Sequence, residues 1–551
     1  MKPLRLFEFL FAFEEPRVEP GFLLVSDEPK ERPGEEPAAE TKEAAPSPLG
    51  PPSGDLHRDL TLLRATFGRG NDLLCQRVFK VDGREMGCLF VRGAADDQLL
   101  REIVFPVIRE YGGKGLEALA DAFACGEASL GMDLAQASTG LVRGETLLLF
   151  QGERRFLLID TGRKVHRRVE RAINERIIRG PQEGFTEDLE ENLALIQRRL
   201  RTPRLIATRV AVGEISRTRC AILHLNGVAN PRLVEEVKRR VKGLRLDFLS
   251  DSGALETLIE ENSLHPYPQV LSTERPDRVA AGLAEGKVAI LVDGSPQVLV
   301  VPATVLGLLH AAEDYNVRWP YGIFMRLVRV MAVFVLLFLS PLYIAANLYQ
   351  PEILPTEMLF ALVSFKRAVP VPTIVEIILL EFFFELLREA GLRGPQGLVP
   401  ALTIVIGLFL GIASVFAHAL NPILLVVVAL SALAALAIPD FSTALSFRLT
   451  RYLYMLLTAL FGYIGIALGV YLHLHLLVKQ KSFGVPMMVP IAPFTKRSKD
   501  VVLMGPPWKR DKRSDFLDPA RPSRAPKITQ AWLEEQRERP LPREDGGGGE
   551  A

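Results

Sequence analysis

The sequence has few cysteines and histidines and lacks the common catalytic motifs. Its 551 residues include four cysteines and eight histidines. Cys75, Cys88, Cys125 and Cys220 form no C-x-x-C pair, so we expect neither a zinc site nor a disulfide framework. The motifs G-x-x-x-x-G-K-S/T, G-x-S-x-G and H-E-x-x-H are also absent from the sequence. We therefore predict that the chain is not an enzyme and holds no metal and no cofactor.

An excess of one charge is missing as well. The formal net charge is +1, which argues against nucleic acid or an acidic substrate as a partner of the whole chain. The charges are unevenly spread, because they crowd the first 320 residues and thin out between residues 330 and 478. The mean hydropathy of +0.17 is high for a soluble protein. This split predicts a soluble N-terminal part and a membrane-embedded C-terminal part.

Neither end of the chain has the pattern of a folded domain. Glu8 interrupts the apolar start, and no small-residue cleavage site follows it, so we expect no cleaved signal and a cytosolic soluble part. Residues 1–54 are predicted to be a disordered extension, since residues 14–52 are rich in Pro, Glu, Ala and Ser. Residues 481–551 are predicted to be a cytosolic tail, flexible from about residue 506.

An internal repeat organises the soluble part. Asp96 and Asn230 are favourable N-caps, and each follows two runs of strand type. Asp293-Gly294, between two apolar runs, is typical of a hairpin. Each copy is predicted to contain two strands, then a helix and later a hairpin. These elements lie at residues 73–81, 86–91, 96–109 and 146–159 in the first copy. In the second copy they lie at residues 205–212, 218–225, 230–241 and 287–301.

The repeat predicts two related α/β subdomains, at residues 55–160 and 205–320. A basic connector, residues 161–204, joins them. Its positive side chains either face anionic lipid or nucleic acid, or form a solvated surface together with neighbouring glutamates. They are Arg163, Lys164, Arg167, Arg168, Arg171, Arg176 and Arg179.

Long uncharged runs follow the second subdomain. Residues 330–351, 398–439 and 452–478 carry no Asp, Glu, Lys or Arg, and the middle run is long enough for two helices that turn at Asn421-Pro422. Residues 321–480 are therefore predicted to be a helical transmembrane domain of four to six spans. The fold class is an α+β soluble part of two related subdomains followed by an α-helical transmembrane bundle.

One apolar segment of this domain carries acids. Residues 369–391 contain Glu376, Glu381, Glu385, Arg388 and Glu389. All of these except Glu376 fall within about a third of the helix circumference. The acids either border a water-filled ion path or lie in water on an amphipathic surface helix. We expect Glu381 and Glu385 to face a wet path, Arg388 to neutralise them in part, and Glu376 to lie about 140° away from Glu381.

Several stretches together resemble one family. From about residue 56 to 509 the chain is similar to the A subunit of the GerA-type spore germinant receptors, a family that includes stage V sporulation protein AF. The matching stretches are residues 162–170, 178–187, 268–270, 273–278, 293–294, 384–393 and 482–486.

The resemblance implies a role in spore germination at the spore inner membrane, with the soluble part on the cytosolic (core) side. It also implies a transporter-like B subunit and a lipoprotein C subunit as partners. Subunits of this kind are expected to form homo-oligomers within the membrane lipid and to conduct ions when a nutrient binds to the complex.

Two positions depart from the family pattern. Met487 stands where an aromatic residue is common, and Ile412 stands where a glutamine is expected. A stage V AF-type accessory role in dipicolinate release, a non-conducting scaffold and a secondary transporter remain as alternatives. A transporter would require inverted repeats in the membrane part. The repeat found here lies in the soluble part instead.

Overall fold

Two five-stranded antiparallel sheets and a set of apolar helices make up this protein in the computed structural model. The first sheet has the order β1-β2-β4-β5-β3. Its strands are β1 (Leu74–Val81), β2 (Arg84–Val91), β3 (Ala128–Gly131), β4 (Thr146–Phe150) and β5 (Phe156–Ile159). The structure describes residues 49–68, 70–81, 83–110, 116–123, 128–162, 172, 175, 177–369, 371–393, 407, 420–495, 504–507 and 510–524.

The second sheet repeats this order as β6-β7-β9-β10-β8. Its strands are β6 (Leu205–Val212), β7 (Thr218–Leu225), β8 (Leu271–Thr273), β9 (Val288–Val292) and β10 (Val298–Val301). The predicted pairs of strands and the two hairpins are confirmed. The repeat extends further than predicted, because each sheet also has a short edge strand, β3 or β8, followed by a helix.

The helices of the soluble part occupy matching places in the two copies. One helix precedes each copy, helical segments follow the second strand, and one helix follows the edge strand. The helices are α1 (Leu56–Thr66), α2 (Asp97–Leu99, continued by Leu100–Val104 and Phe105–Glu110), α3 (Leu116–Ala122), α4 (Leu134–Arg143), α5 (Leu189–Arg199), α6 (Pro231–Gly243), α7 (Ser252–Ile259), α8 (Pro276–Glu285) and α9 (Val305–Leu308).

Short-range signals in the sequence fix the ends of these helices. Asp96 and Asn230 cap α2 and α6 through their side chains, as predicted. Gly144 and Gly286 end α4 and α8 with φ of +99° and +102°. A Cβ atom at Gly144 would lie 2.5 Å from the carbonyl oxygen of Ala94, so this turn requires glycine.

The central strands of each sheet are buried on both faces, whereas the edge strand β1 is partly exposed. Consecutive residues of β4, such as Leu147 and Leu148, lie in different hydrophobic clusters, because successive side chains of a strand point to opposite faces of the sheet. The outer face of the first sheet packs on α2 and α3, and that of the second packs on α6 and α7. The inner faces of the two sheets share one hydrophobic core with α1, α4, α5 and α8. This core therefore joins the two subdomains.

The described residues of the C-terminal part form six longer helices. They are α10 (Trp319–Leu348), α11 (Thr356–Ala368), α12 (Thr373–Arg393), α13 (Pro422–Leu436), α14 (Phe441–Phe461) and α15 (Tyr463–Lys479). Within the described residues, α10 is the one helix long and apolar enough to cross a membrane, while α13 and α15 are shorter apolar helices. Most of residues 398–419 lies outside the described part, so the number of spans stays a prediction.

The uncharged run at residues 452–478 is not one continuous helix. Gly462, with φ +61° and ψ −137°, separates α14 from α15. The two helices then pack against each other as a hairpin, since Gly465 lies on the carbonyl of Leu457 and Gly469 lies on Tyr454. Glycines four residues apart allow this close antiparallel approach.

The tail was expected to be flexible from about residue 506. For residues 510–524 this expectation is wrong, because the segment packs on the second subdomain. Phe516 and Leu517 are buried in the core beneath the second sheet. The amide N–H of Ala520 donates to the carbonyl of Val228 over 3.1 Å, and the Arg513 guanidinium donates to the carbonyl of Ala284 over 2.7 Å. These partners lie more than 200 residues earlier in the chain, so local composition gave no sign of them.

Leu517 provides a test of this packing. Its side chain is 1% exposed, so Leu517→Ala should lower the free energy of unfolding by about 2–5 kcal/mol. Leu264→Ala is the control, because Leu264 is 68% exposed and its loss should change stability by less than about 0.5 kcal/mol. Thermal unfolding of the full chain in detergent compares the two. Equal, small effects would show that residues 510–524 do not pack on the second subdomain.

Candidate functional site: an acid–arginine network between C-terminal helices

The acidic helix α12 places its carboxylates at two separate positions. Glu381 and Glu385 lie one turn apart, and both meet α14. Glu376 lies on a different face, where its carboxylate accepts a hydrogen bond from the backbone N–H of Asn421. Asn421 in turn caps α13 through the backbone N–H of Ile423, over 2.9 Å. The helix therefore uses one face for α14 and another for the start of α13.

Glu381 forms a buried ion pair with Arg451 of α14. The two side chains are 1% and 2% exposed. The Ser340 hydroxyl of α10 also donates to Glu381 over 3.1 Å and lies 3.3 Å from the hydroxyl of Ser431 on α13. Four helices thus meet around one carboxylate, and hydrogen bonds offset part of the cost of burying it.

A second pair lies one turn further along α12. Arg448 Nη1 donates to Glu385 Oε2 over 2.7 Å. Arg448 is buried, whereas the Glu385 side chain is 34% exposed. Of the two acids, Glu385 is therefore the one that the described residues leave partly uncovered.

The arginines that face these acids come from α14 and not from α12. Arg388, which was expected to neutralise Glu381 and Glu385, lies 5.5 Å from the ring centre of Phe441. In the sequence, Arg448 and Arg451 directly precede the uncharged run at residues 452–478. The two arginines are three residues apart and the two acids are four residues apart, and each spacing places both charges on one helix face. This match of spacings is the signal that could have revealed the pairs.

The network retains unused hydrogen-bond donors. Among the described residues, Arg451 Nε and Nη1 and Arg448 Nε are buried and have no acceptor. A buried donor without a partner costs about 1–3 kcal/mol. The network therefore combines buried N–H donors that have no acceptor with one partly exposed carboxylate, that of Glu385.

A tyrosine connects the soluble part to α14 and α15. Tyr267 precedes β8 in the chain. Its hydroxyl lies 2.8 Å from His473 Nε2 and 3.1 Å from the Thr450 hydroxyl. Its ring stacks on His473 at 5.5 Å. Burial raises the pKa of Tyr267 above its ordinary value, so the hydroxyl stays protonated and can donate. Tyr454 lies 3.1 Å from His473 Nδ1 and completes the cluster.

Two of the sequence stretches singled out above serve to attach the connector to the second subdomain. The Arg275 guanidinium donates to the carbonyl of Pro181 over 3.0 Å and pairs with Asp277 over 2.7 Å. Arg278 pairs with Glu175 over 3.0 Å. Burial, opposed by Arg278, raises the pKa of Glu175. The six basic connector residues from 163 to 176 lie outside the described residues, and Arg179 is exposed.

A third stretch, residues 482–486, joins α15 to the second subdomain. It overlaps the end of the short strand β11 (Lys481–Ser482) and contains β12 (Val485–Pro486). The Ser482 hydroxyl accepts from the backbone N–H of Ala303 over 3.0 Å, and Arg240 lies 4.3 Å from the ring centre of Phe483. Phe483 is buried in the core beneath the second sheet. The chain therefore contacts the soluble part again directly after α15.

Removing the Tyr267 hydroxyl tests the contact between the soluble part and α14. Tyr267→Phe keeps the ring stack but leaves His473 Nε2 and the Thr450 hydroxyl without this partner in a buried site. We expect it to lower the free energy of unfolding by about 1–3 kcal/mol. Tyr321→Phe serves as the control, since Tyr321 is exposed. If both variants melted at the temperature of the unsubstituted chain, the Tyr267 contact would contribute nothing.

Comparison with known proteins identifies the family. The family model described as Bacillus/Clostridium GerA spore germination protein matches residues 61–516. Spore germination protein A1 of Bacillus subtilis (strain 168) is 33% identical over 470 residues, which cover 85% of this chain and 97% of that protein. Spore germination protein KA of the same organism is 30% identical over 476 residues, covering 84% and 87%.

A solved structure is also similar. It is the crystal structure of the N-terminal domain of the A subunit of the Bacillus megaterium spore germinant receptor GerK3, with 26% identity and a TM-score of 0.36, covering 47% of this chain and 97% of that one. The family model spans most of the chain, from the first helix to the packed tail segment. This chain is a member of the GerA spore germination protein family.

Proposed function

We propose that this chain is a membrane subunit of a nutrient-responsive spore germinant receptor, and that several copies form a cation-conducting path. The observation that carries the proposal is the acid–arginine network between α12 and α14. Charged side chains inside a membrane are costly and tend to mark ion pathways. Glu385, partly exposed beside Arg448, is the group of this network that a passing cation would meet first.

Several copies are needed because one chain has too few helices to enclose water. A closed ring is the common symmetry of such assemblies. Rings of carboxylates favour cations in a pore. In each copy, Glu385 would supply one carboxylate of such a ring, while Glu381 and Arg451 would hold α12 and α14 at a fixed distance.

The location and partners follow from the same proposal. The chain would lie in the spore inner membrane, with its soluble part on the core side. A transporter-like B subunit would sense the nutrient, and a lipoprotein C subunit would complete the receptor. Through Tyr267 and residues 482–486, movement of the soluble part would reach α14 and α15 directly.

A non-conducting scaffold is the second candidate, with stage V AF-type assistance in dipicolinate release as one form of it. The observation that favours it is that both acids already have arginine partners. Paired charges can fix the packing of helices without any ion passing between them.

Glu385→Gln separates the two candidates. Spores that carry this variant should release monovalent cations about tenfold more slowly after exposure to a nutrient mixture, the change that corresponds to ~1.4 kcal/mol of lost cation stabilisation. The measurement is potassium release from the spores, with protein accumulation checked by immunoblot.

The matched control is Glu102→Gln, which removes an exposed carboxylate from α2 of the soluble part. It should leave cation release unchanged. Normal release from Glu385→Gln spores that contain the normal amount of protein would favour the scaffold and would remove Glu385 from the conduction path.

A further inference from the structure

A short loop of the connector lies against the base of α10. The backbone N–H of Ile178 donates to the Glu313 carboxylate over 2.6 Å. A Cβ atom at Gly180 would lie 2.4 Å from Asn316 Nδ2, so the loop backbone lies directly on this residue. Glu313 and Asn316 immediately precede Trp319, where α10 begins. The loop formed by residues 177–183 is therefore at the level of the helix start.

This loop holds an apolar side chain in the open. Ile178 is 95% exposed, and Arg179 beside it is exposed as well. The backbone around them is fixed, because Arg275 binds the carbonyl of Pro181 and Gly180 adopts φ +132°. The exposure of Ile178 thus comes from a specifically held loop conformation.

The first turns of α10 continue this apolar surface. Arg326 and Arg329 point inwards to Asp314, at 3.3 Å and 2.7 Å, and the Asp314 side chain is 1% exposed. The outward face consists of exposed apolar and aromatic side chains. They are Tyr321, Phe324, Met325, Leu327 and Val328. The charges near this end of the helix therefore do not prevent its outer face from entering lipid.

The length of α10 sets the depth of the loop. Its 30 residues span about 45 Å at 1.5 Å per residue. A bilayer is about 40–45 Å thick with its headgroups. Trp319 and Tyr321 then lie in the interface, where such side chains concentrate. Asn316, and the loop that rests on it, lie at the headgroup level.

We propose that residues 177–183 dock on the bilayer surface, with Ile178 inserted at the boundary of headgroups and acyl chains and Arg179 against lipid phosphates. This inference rests on the proposed membrane location of α10. A single isoleucine is too small to anchor the protein. Its role is to set the orientation of the connector, and through Arg275 that of the second subdomain, relative to the membrane.

Tryptophan fluorescence in liposomes tests the docking. Ile178→Trp replaces an exposed side chain, so the fold should tolerate it. The full-length chain is reconstituted in vesicles of phosphatidylcholine and phosphatidylglycerol, with and without lipids brominated near the headgroup end of the acyl chain. The fluorescence of the three native tryptophans is subtracted by means of the unsubstituted chain. The brominated lipids should quench at least half of the added emission of Ile178→Trp.

Two further variants make the result decisive. Phe334→Trp lies on the exposed face near the middle of α10, so vesicles with lipids brominated near the ends of the acyl chains report whether the helix itself is in lipid. Val78→Trp, on the exposed side of β1, should not be quenched. If Phe334→Trp is quenched by acyl-chain bromines and Ile178→Trp is not, the docking is refuted and the loop instead contacts protein, such as a second copy. If Phe334→Trp is not quenched either, the membrane location of α10 fails, and the docking fails with it.

Discussion

The Glu381–Arg451 ion pair is the interaction on which the packing of the C-terminal helices depends. Both side chains are almost fully buried, and Ser340 adds a hydrogen bond from a third helix. Breaking a buried pair by removing one partner costs about 3–5 kcal/mol, because the other charge is left without compensation. The pair therefore fixes which face of α12 meets α14, and it places the partly exposed Glu385 beside Arg448.

The same helix that holds the arginines also contacts the soluble part. Thr450, next to Arg451 in α14, lies within hydrogen-bond distance of Tyr267. The second subdomain is further attached through Phe483 and through the packed tail segment at residues 510–524. The Tyr267–Thr450 contact therefore joins the second subdomain directly to α14.

Local features were predictable from sequence, and long-range partners were not. The strands at residues 205–212 and 218–225 and the N-caps at Asp96 and Asn230 were predicted correctly, because alternation and capping depend on adjacent residues. Gly462 was missed within a run of uniform hydrophobicity. The partners of Glu381 and Glu385 lie 70 and 63 residues further along the chain, and their identity depends on how α12 and α14 pack.

A double-mutant cycle on Glu381 and Arg451 tests this account most directly. Glu381→Gln and Arg451→Gln should each lower the free energy of unfolding by about 3–5 kcal/mol, and the double variant should lose at least ~2 kcal/mol less than their sum. Thermal unfolding of the full chain in detergent measures all four forms, and the cycle of Glu376 with Arg451 is the control. Additive losses in the Glu381–Arg451 cycle would contradict the claim that this pair holds α12 against α14.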